Sequence, residues 1–269
     1  MSEVNNHIFE TIDRQHRHES AHTRRKLIQG TAAGLGSMGL LGFAASAADA
    51  QVRTAEANSV ETLTTVAATA EVLATIVNTV GAERLGSQMD AVTLRNIRAA
   101  AQQEKNHYEL LTSRAVGAKA ATTMIHVPDA VFSSPQALLT TLVVGDQLFV
   151  NAYLLACTVF ARQGTLAGSR FARFSAEICA VESVHRALAL QSLGRLGNDR
   201  AYAKFAQREA VQGLPTTGAP GLYTAPEHVA ALESIGFGKA GSAPGQMYSY
   251  AEVSARTPTD PDVNTLSPS

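Results

Sequence analysis

Two pairs of side chains in this sequence have the types and spacing that metal or proton chemistry requires. His107 follows Glu104 by three residues, and His185 follows Glu182 by the same interval. On a helix this interval places a carboxylate and an imidazole on one side, about one turn apart. Each pair could therefore direct an oxygen and a nitrogen at one point.

Two further acids stand alone within long apolar segments. Glu71 is the only charged residue in 62–82, and Asp146 is the only charged residue in 130–161. Burying an ionised carboxylate without a partner costs on the order of several kcal/mol. We therefore predict that both acids face the protein interior and have compensating partners there.

The elements that position these residues are predicted to be helices. Hydrophobic periodicity and the placement of Gly, Pro and N-capping residues indicate four long helices, at about residues 59–80, 90–116, 134–163 and 167–193. Short helices are expected at 198–210 and 226–235, followed by a polar tail from 256 onward. No segment alternates with period two over a useful length, so no sheet is predicted.

The lengths of the connections predict how the four helices are arranged. Helices 1 and 2, and helices 3 and 4, are joined by short turns and should be antiparallel neighbours. The long segment between helices 2 and 3 must cross along the length of a bundle. The predicted fold class is all-α: a four-helix bundle with a long crossover, plus a C-terminal extension with short helices.

Residues 59–193 resemble the ferritin-like superfamily, in particular its exported bacterial ferritin-like and desiccation-related branch. The order acid, Glu-x-x-His, crossover, acid, Glu-x-x-His matches the order in that family. The segment 146–154, in which an acid precedes Ala152 and Tyr153, resembles the family's third helix. One departure is that the family usually has Glu where this chain has Asp146.

The resemblance implies a site with two metal ions, iron or alternatively manganese. The terminal ligands would be Glu71 and Asp146, and the bridging ligands would be Glu104 and Glu182. His107 and His185 would each bind one ion. The implied chemistry is oxidation of Fe(II), or reaction with oxygen or peroxide. Tyr153 lies seven residues after Asp146 and hence on the same helix face, either as a core residue or as a hydrogen-bonding group beside the metals.

Three alternatives remain open at this point. The acids and histidines could form a buried hydrogen-bonded network without metal. The bundle could be a non-catalytic stress or desiccation protein whose metal is structural or lost. Helices 1 and 3 could instead span a membrane, although the mid-helix polar residues Asp146, Gln147 and Asn151 argue against this.

In the metal-free protein, the four carboxylates brought together in the interior should repel one another and be desolvated. We therefore expect raised pKa values for these acids in the metal-free protein: Glu71, Glu104, Asp146 and Glu182.

The N-terminal region resembles a twin-arginine signal peptide. Arg24 and Arg25 precede a weakly apolar run at 30–48, and small residues allow cleavage after Ala47 or Ala50. The domains are then a signal at 1–50, a linker at 51–58, the bundle at 59–195 and the extension at 196–269. The expected partner is the twin-arginine translocation machinery, the expected location is the periplasm or another exported compartment, and the alternative is an ordinary secretory signal.

Composition excludes several other classes of function. The 269 residues are 45% hydrophobic and 17% charged, with a formal net charge of −1, so neither disorder nor nucleic-acid binding is favoured. The two cysteines, Cys157 and Cys179, form no Cys-x-x-Cys motif and lie too far apart along the predicted helices for a disulfide. His126 and His228 are predicted to lie in surface loops. A homo-oligomer is compatible with the sequence, and no stable membrane span is expected in the mature form.

Overall fold

The computed structural model describes residues 59–198, 225–238, 243–260 and 263. The predicted signal peptide, the linker and nearly all of the short helix expected at 198–210 lie outside these residues.

The described part of the chain is mostly helical, as the all-α prediction requires. Its α-helices are α1 (Val60–Leu85), α2 (Ala91–Thr112), α3 (Pro135–Ala161), α4 (Leu166–Ser192), α5 (Ala225–Ser234) and α6 (Tyr250–Ser254). The four long helices begin where side-chain oxygens accept hydrogen bonds from first-turn N–H groups; these N-caps are Ser59, Asp90, Ser134 and Thr165.

Two helix ends differ from the sequence-based expectation. α1 continues through Gly81 to Leu85 instead of stopping at a turn. Gly81 lies inside α1 and allows it to pack closely against α3, because a Cβ atom there would come 2.5 Å from Leu138 Cδ2. α2 ends at Thr112, earlier than predicted, where the backbone becomes extended at Ser113.

The expectation that the chain has no sheet is wrong. β1 (Met124–Pro128) and β2 (Gly245–Ser249) form a two-stranded antiparallel sheet, in which Met124 pairs with Ser249. Neither strand alternates between buried and exposed residues: β1 is buried at four successive positions and β2 at none, so the period-two signal of a strand is absent. The sheet links the connection between α2 and α3 to the C-terminal extension.

The extension also changes the environment of two histidines that were predicted to be surface residues. His126, in β1, and His228, in α5, are each only 3% exposed. The prediction was wrong because the extension packs over the long helices. α5 contacts α1 and α3, and α6 contacts α1.

The four long helices surround a common core. The most extensive contacts join α1 to α2 and α3 to α4, and further contacts join α1 to α3 and α2 to α4. The pairs joined by short connections are therefore neighbours, as expected. Cys157 and Cys179 are both free, and each thiol lies against a backbone carbonyl of the facing helix.

Among the described residues, two stretches are long and apolar enough to span a membrane: Val60–Gln88 and Pro135–Ala161. This test rests on length and composition only, and the buried core helix of a soluble protein also passes it. Glu71 and Asp146 lie near the middle of these stretches and face the other two long helices.

Candidate metal centre

All six residues singled out in the sequence meet at the middle of the four long helices. Each helix contributes as the spacing predicted: Glu71 from α1, Glu104 and His107 from α2, Asp146 from α3, Glu182 and His185 from α4. The three glutamates are 0% exposed, and none of the other three residues exceeds 9%. They form two overlapping groups, Glu71–Glu104–His107–Glu182 and Glu104–Asp146–Glu182–His185.

The first group is centred on His107. Its Nδ1 lies 3.2 Å from Glu104 Oε2, 3.4 Å from Glu71 Oε2 and 3.4 Å from Glu182 Oε1. A single N–H can point well at only one of these oxygens. The three oxygens and this nitrogen all lie within 4.8 Å of one another, so together they could hold a cation.

The second group is centred on His185. Its Nδ1 lies 3.1 Å from Glu104 Oε1 and 3.5 Å from Glu182 Oε2, and Asp146 completes the group. The other ring nitrogen, Nε2, donates a hydrogen bond of 2.7 Å to Gln103 Oε1, because an amide oxygen can only accept. This bond fixes the ring so that Nδ1 faces the carboxylates, as partners of metal-bound histidines do.

Glu104 and Glu182 belong to both groups and divide their oxygens between them. Glu104 directs Oε2 to His107 and Oε1 to His185, while Glu182 directs Oε1 to His107 and Oε2 to His185. Each carboxylate thus spans the two groups, one oxygen to each.

The spacings fit a first-row metal ion. With metal–ligand bonds of about 2.1 Å, neighbouring ligand atoms are about 3.0 Å apart in an octahedron and about 3.4 Å apart in a tetrahedron. The nitrogen–oxygen separations of 3.1–3.5 Å lie at these values. Within each group, the candidate ligand atoms all lie within 4.8 Å of one another.

Several buried atoms of the site have no hydrogen-bond partner within the described part of the chain. They are Glu71 Oε2, Glu104 Oε1, Asp146 Oδ2, both carboxylate oxygens of Glu182 and His185 Nδ1. Buried polar atoms of folded proteins nearly always have partners. One cation in each group would give these atoms a partner.

Tyr153 and Arg186 lie beside the site and act on Glu71 and Asp146, respectively. The Tyr153 hydroxyl donates a hydrogen bond to Glu71 Oε1, which agrees with one of the two roles considered for Tyr153. The 5%-exposed Arg186 was missed, and its positive charge acts on Asp146, where it favours the ionised carboxylate. The signal for Arg186 was its spacing of four residues from Glu182, which places it on the same side of α4. No comparable pattern pointed to Gln103.

The acids do not all respond to burial in the same way. Desolvation raises the pKa of Glu71 to about 7 although His107 opposes it, and desolvation also holds the pKa of Asp146 well above its usual range. Burial and Glu182 act to raise the pKa of Glu104 too, but the adjacent histidines outweigh them and the net shift is downward. The expectation of a raised pKa is therefore wrong for Glu104, because it took no account of protonated histidines.

Both histidines bind protons strongly in the absence of metal. Burial acts to lower the pKa of His107 and of His185, but the surrounding carboxylates, chiefly Glu71 and Glu104 respectively, raise both pKa values well above the usual range. A metal ion bound at Nδ1 would have to displace these protons. Metal binding at this site should therefore release protons.

Comparisons with models of protein families, with curated proteins and with solved structures gave no match. The site itself shows buried groups of carboxylates and imidazoles that could hold metal ions.

Proposed function

We propose that this protein is a ferritin-like four-helix bundle that binds two divalent metal ions, one in each group. The observation that carries the proposal is the division of the Glu104 and Glu182 oxygens between the groups. A carboxylate between two ions can offer one oxygen to each, and two-metal bundles hold their ions with one Glu from each of two helices and a Glu-x-x-His pair from each of the other two. Glu71 and Asp146 are then the terminal acids, and each histidine binds one ion.

Iron is the metal we propose, with manganese as the alternative, because carboxylate and imidazole ligands suit both. When bound, an iron pair would supply oxidation of Fe(II) or reaction with oxygen or peroxide. The protein's own contribution is to exclude water and to orient the ligands. Tyr153 holds Glu71, and Gln103 holds His185.

The rival function is that of a non-catalytic stress or desiccation protein with no functional metal. It is favoured by the pKa values of His107 and His185, which allow protons to occupy part of the space between the carboxylates. Arg186 offers Asp146 a second source of positive charge. In this case the six residues would be a buried network that specifies how the helices pack.

Metal analysis separates the two functions. Mature protein is stripped with chelator, titrated anaerobically with Fe(II), and then exposed to oxygen or peroxide while ferric absorbance is followed. We expect about two ions per chain and ferrous oxidation faster than in buffer. Metal binding without accelerated oxidation would leave a structural metal, and failure to bind Fe(II), Mn(II) or Co(II) would favour the metal-free network.

We also propose export by the twin-arginine route, supported by Arg24, Arg25 and the apolar run that follows them. Replacing both arginines with lysine keeps the charge, so Arg24→Lys with Arg25→Lys should leave uncleaved precursor in the cytoplasm. Normal processing of the double variant would indicate the general secretory route.

A further inference from the structure

A pocket approaches the site from one end of the four long helices. Its lining extends from Thr93, in the first turn of α2, and Ser192, the last residue of α4, to Asp146 and His185. The pocket has an empty volume of about 340 Å³, part of which is open to solvent. The pocket therefore leads from the surface toward the group centred on His185.

Asn78 lines this pocket and has an unusual hydrogen-bonding state. The side chain is 2% exposed, and its Nδ2 donates a 3.0 Å hydrogen bond to the Ala74 carbonyl within α1. Its Oδ1 has no donor among the described residues. A buried amide oxygen without a donor is costly, and it is a suitable ligand for a hard cation or its bound water.

Asn78 also lies at the right place to act before the metal ligands. It follows Glu71 by seven residues on α1, so it lies on the same side of the helix and about 10 Å nearer the end where the pocket opens. Asp146 Oδ2, which likewise has no hydrogen-bond donor among the described residues, lines the inner part of the same pocket. Asn78 and Asp146, each with a buried oxygen that has no donor among the described residues, thus follow one another along one path.

The charges along the path suit a cation. Among the described residues that line the pocket, none is Lys or Arg. At its outer end the hydroxyl of the lining residue Thr93 donates a 2.6 Å hydrogen bond to the Asp90 carboxylate, and Ser192 Oγ lies 2.9 Å from the same hydroxyl. The path therefore begins beside one carboxylate and ends at another.

A second cavity near the site has a more apolar lining. It has an empty volume of about 500 Å³, lies beside Tyr153 and is lined by apolar side chains of α1 and α3 such as Leu63, Val66 and Phe149. Transfer of a hydrated cation into such surroundings is strongly unfavourable. The two cavities are therefore not equivalent routes for metal.

We propose that this first pocket, which mixes polar and apolar side chains, is the entry route for divalent cations, with Asn78 Oδ1 as a transit ligand that passes the ion to Asp146 and His185. This inference rests on the proposed metal binding. It adds that the group containing His185 fills first and exchanges its ion faster than the group containing His107.

The rate of metal loading tests the proposal. Metal-free protein is mixed with Co(II) in a stopped-flow instrument, and the visible absorption bands of bound Co(II) are followed. Asn78→Leu removes the oxygen while nearly preserving volume, and it should slow loading by about tenfold or more with an unchanged final number of ions. Asn78→Asp, which restores an oxygen, should load at least as fast as the wild type.

Thr79→Val is the matched control. Thr79 is the next residue of α1 and is fully buried, but its hydroxyl contacts Thr257 and it does not line the pocket. This variant should load at the wild-type rate even if its stability falls. Ala100→Leu narrows the same pocket from α2 and should also slow loading, which provides a test if Asn78→Leu does not fold.

The failures of the two proposals are distinguishable. Wild-type protein that binds none of Fe(II), Mn(II) and Co(II) would remove the proposed metal function itself. Wild-type protein that binds two ions, together with Asn78→Leu and Ala100→Leu variants that load at the wild-type rate, would remove only the entry route.

Discussion

The two halves of the site share their bridging residues and differ in their surroundings. In the half around His107, Glu71 is fully buried and is held by the Tyr153 hydroxyl, next to an apolar cavity. In the half around His185, Asp146 lines the first pocket together with Asn78. The shared ligands would give the two proposed ions similar coordination, so differences between these ions would come from the terminal acid and from access. We therefore expect one half to retain its ion and the other to exchange it.

The largest effect should come from a change that affects both halves together. Glu182→Gln removes a charge that both groups share, so the protein should fall from about two bound ions to fewer than one at micromolar metal. Inductively coupled plasma emission spectrometry and titration with Co(II) measure the number of bound ions. The matched control is Glu177→Gln, an exposed acid on the same helix that pairs with Arg173, and it should bind metal normally. Two tightly bound ions in Glu182→Gln would contradict the bridging assignment.

Changes to the terminal acids should separate the halves. Glu71→Gln and Asp146→Asn should each weaken the binding of one ion and leave the other in place. The affinity for the weakened ion should fall by at least ~10–100-fold, which is the cost of losing an outer partner of a metal ligand. The ion that remains should exchange quickly in Glu71→Gln and slowly in Asp146→Asn. Exchange of bound Co(II) against excess Zn(II) measures both rates. Equal exchange rates in the two variants would show that the halves do not differ.

The two groups of carboxylates and histidines were predictable because burial of charge is a strong constraint on sequence. Glu71 and Asp146 stood alone in apolar helices, which left the interior as the place where they meet partners. The Glu-x-x-His spacing then identified those partners without knowledge of the packing. The contacts that distinguish the halves were less visible. Gln103 looks like an ordinary polar residue of an amphipathic helix, and only the packing of α2 against α4 reveals its contact with His185. The spacing of Arg186 from Glu182 placed it on the right side of α4 but did not show that its charge acts on Asp146 of α3.

The C-terminal extension shows a different limit of sequence reasoning. β1 and β2 are separated by more than a hundred residues, and such pairing leaves no local pattern in so short a strand. His126 was misjudged for the same reason, since it is covered by residues far away in the sequence: its Nδ1 lies 3.4 Å from the Gly236 carbonyl oxygen. Long-range contacts between short irregular segments are the part of this fold that periodicity cannot predict.

The pH dependence of stability should show the smallest effect, and it distinguishes a metal site from a metal-free network. In the metal-free folded state Glu71, with a pKa of about 7, and Asp146, whose pKa is also raised, keep protons that the unfolded chain releases above about pH 4–5. His107 and His185 also have raised pKa values, so their contribution is complete below about pH 6.5 and is lost as pH rises through the folded values. The lowered pKa of Glu104 acts in the opposite direction, but its contribution is lost only as pH falls below about 4.5.

From pH 5 to 8 all the changing contributions therefore have the same sign, and metal-free protein should become less stable as pH rises. Bound metal reverses the trend, because the cations favour carboxylate and neutral imidazole and compete with protons less at higher pH. The melting temperature with Fe(II) or Mn(II), minus that with chelator, should consequently grow from pH 5 to 8. In Glu182→Gln this difference should stay near zero across the range, which controls for metal bound elsewhere. Wild-type curves that run parallel with metal and with chelator would show that protons alone occupy the space between the carboxylates, and the two halves would then be parts of one hydrogen-bonded network.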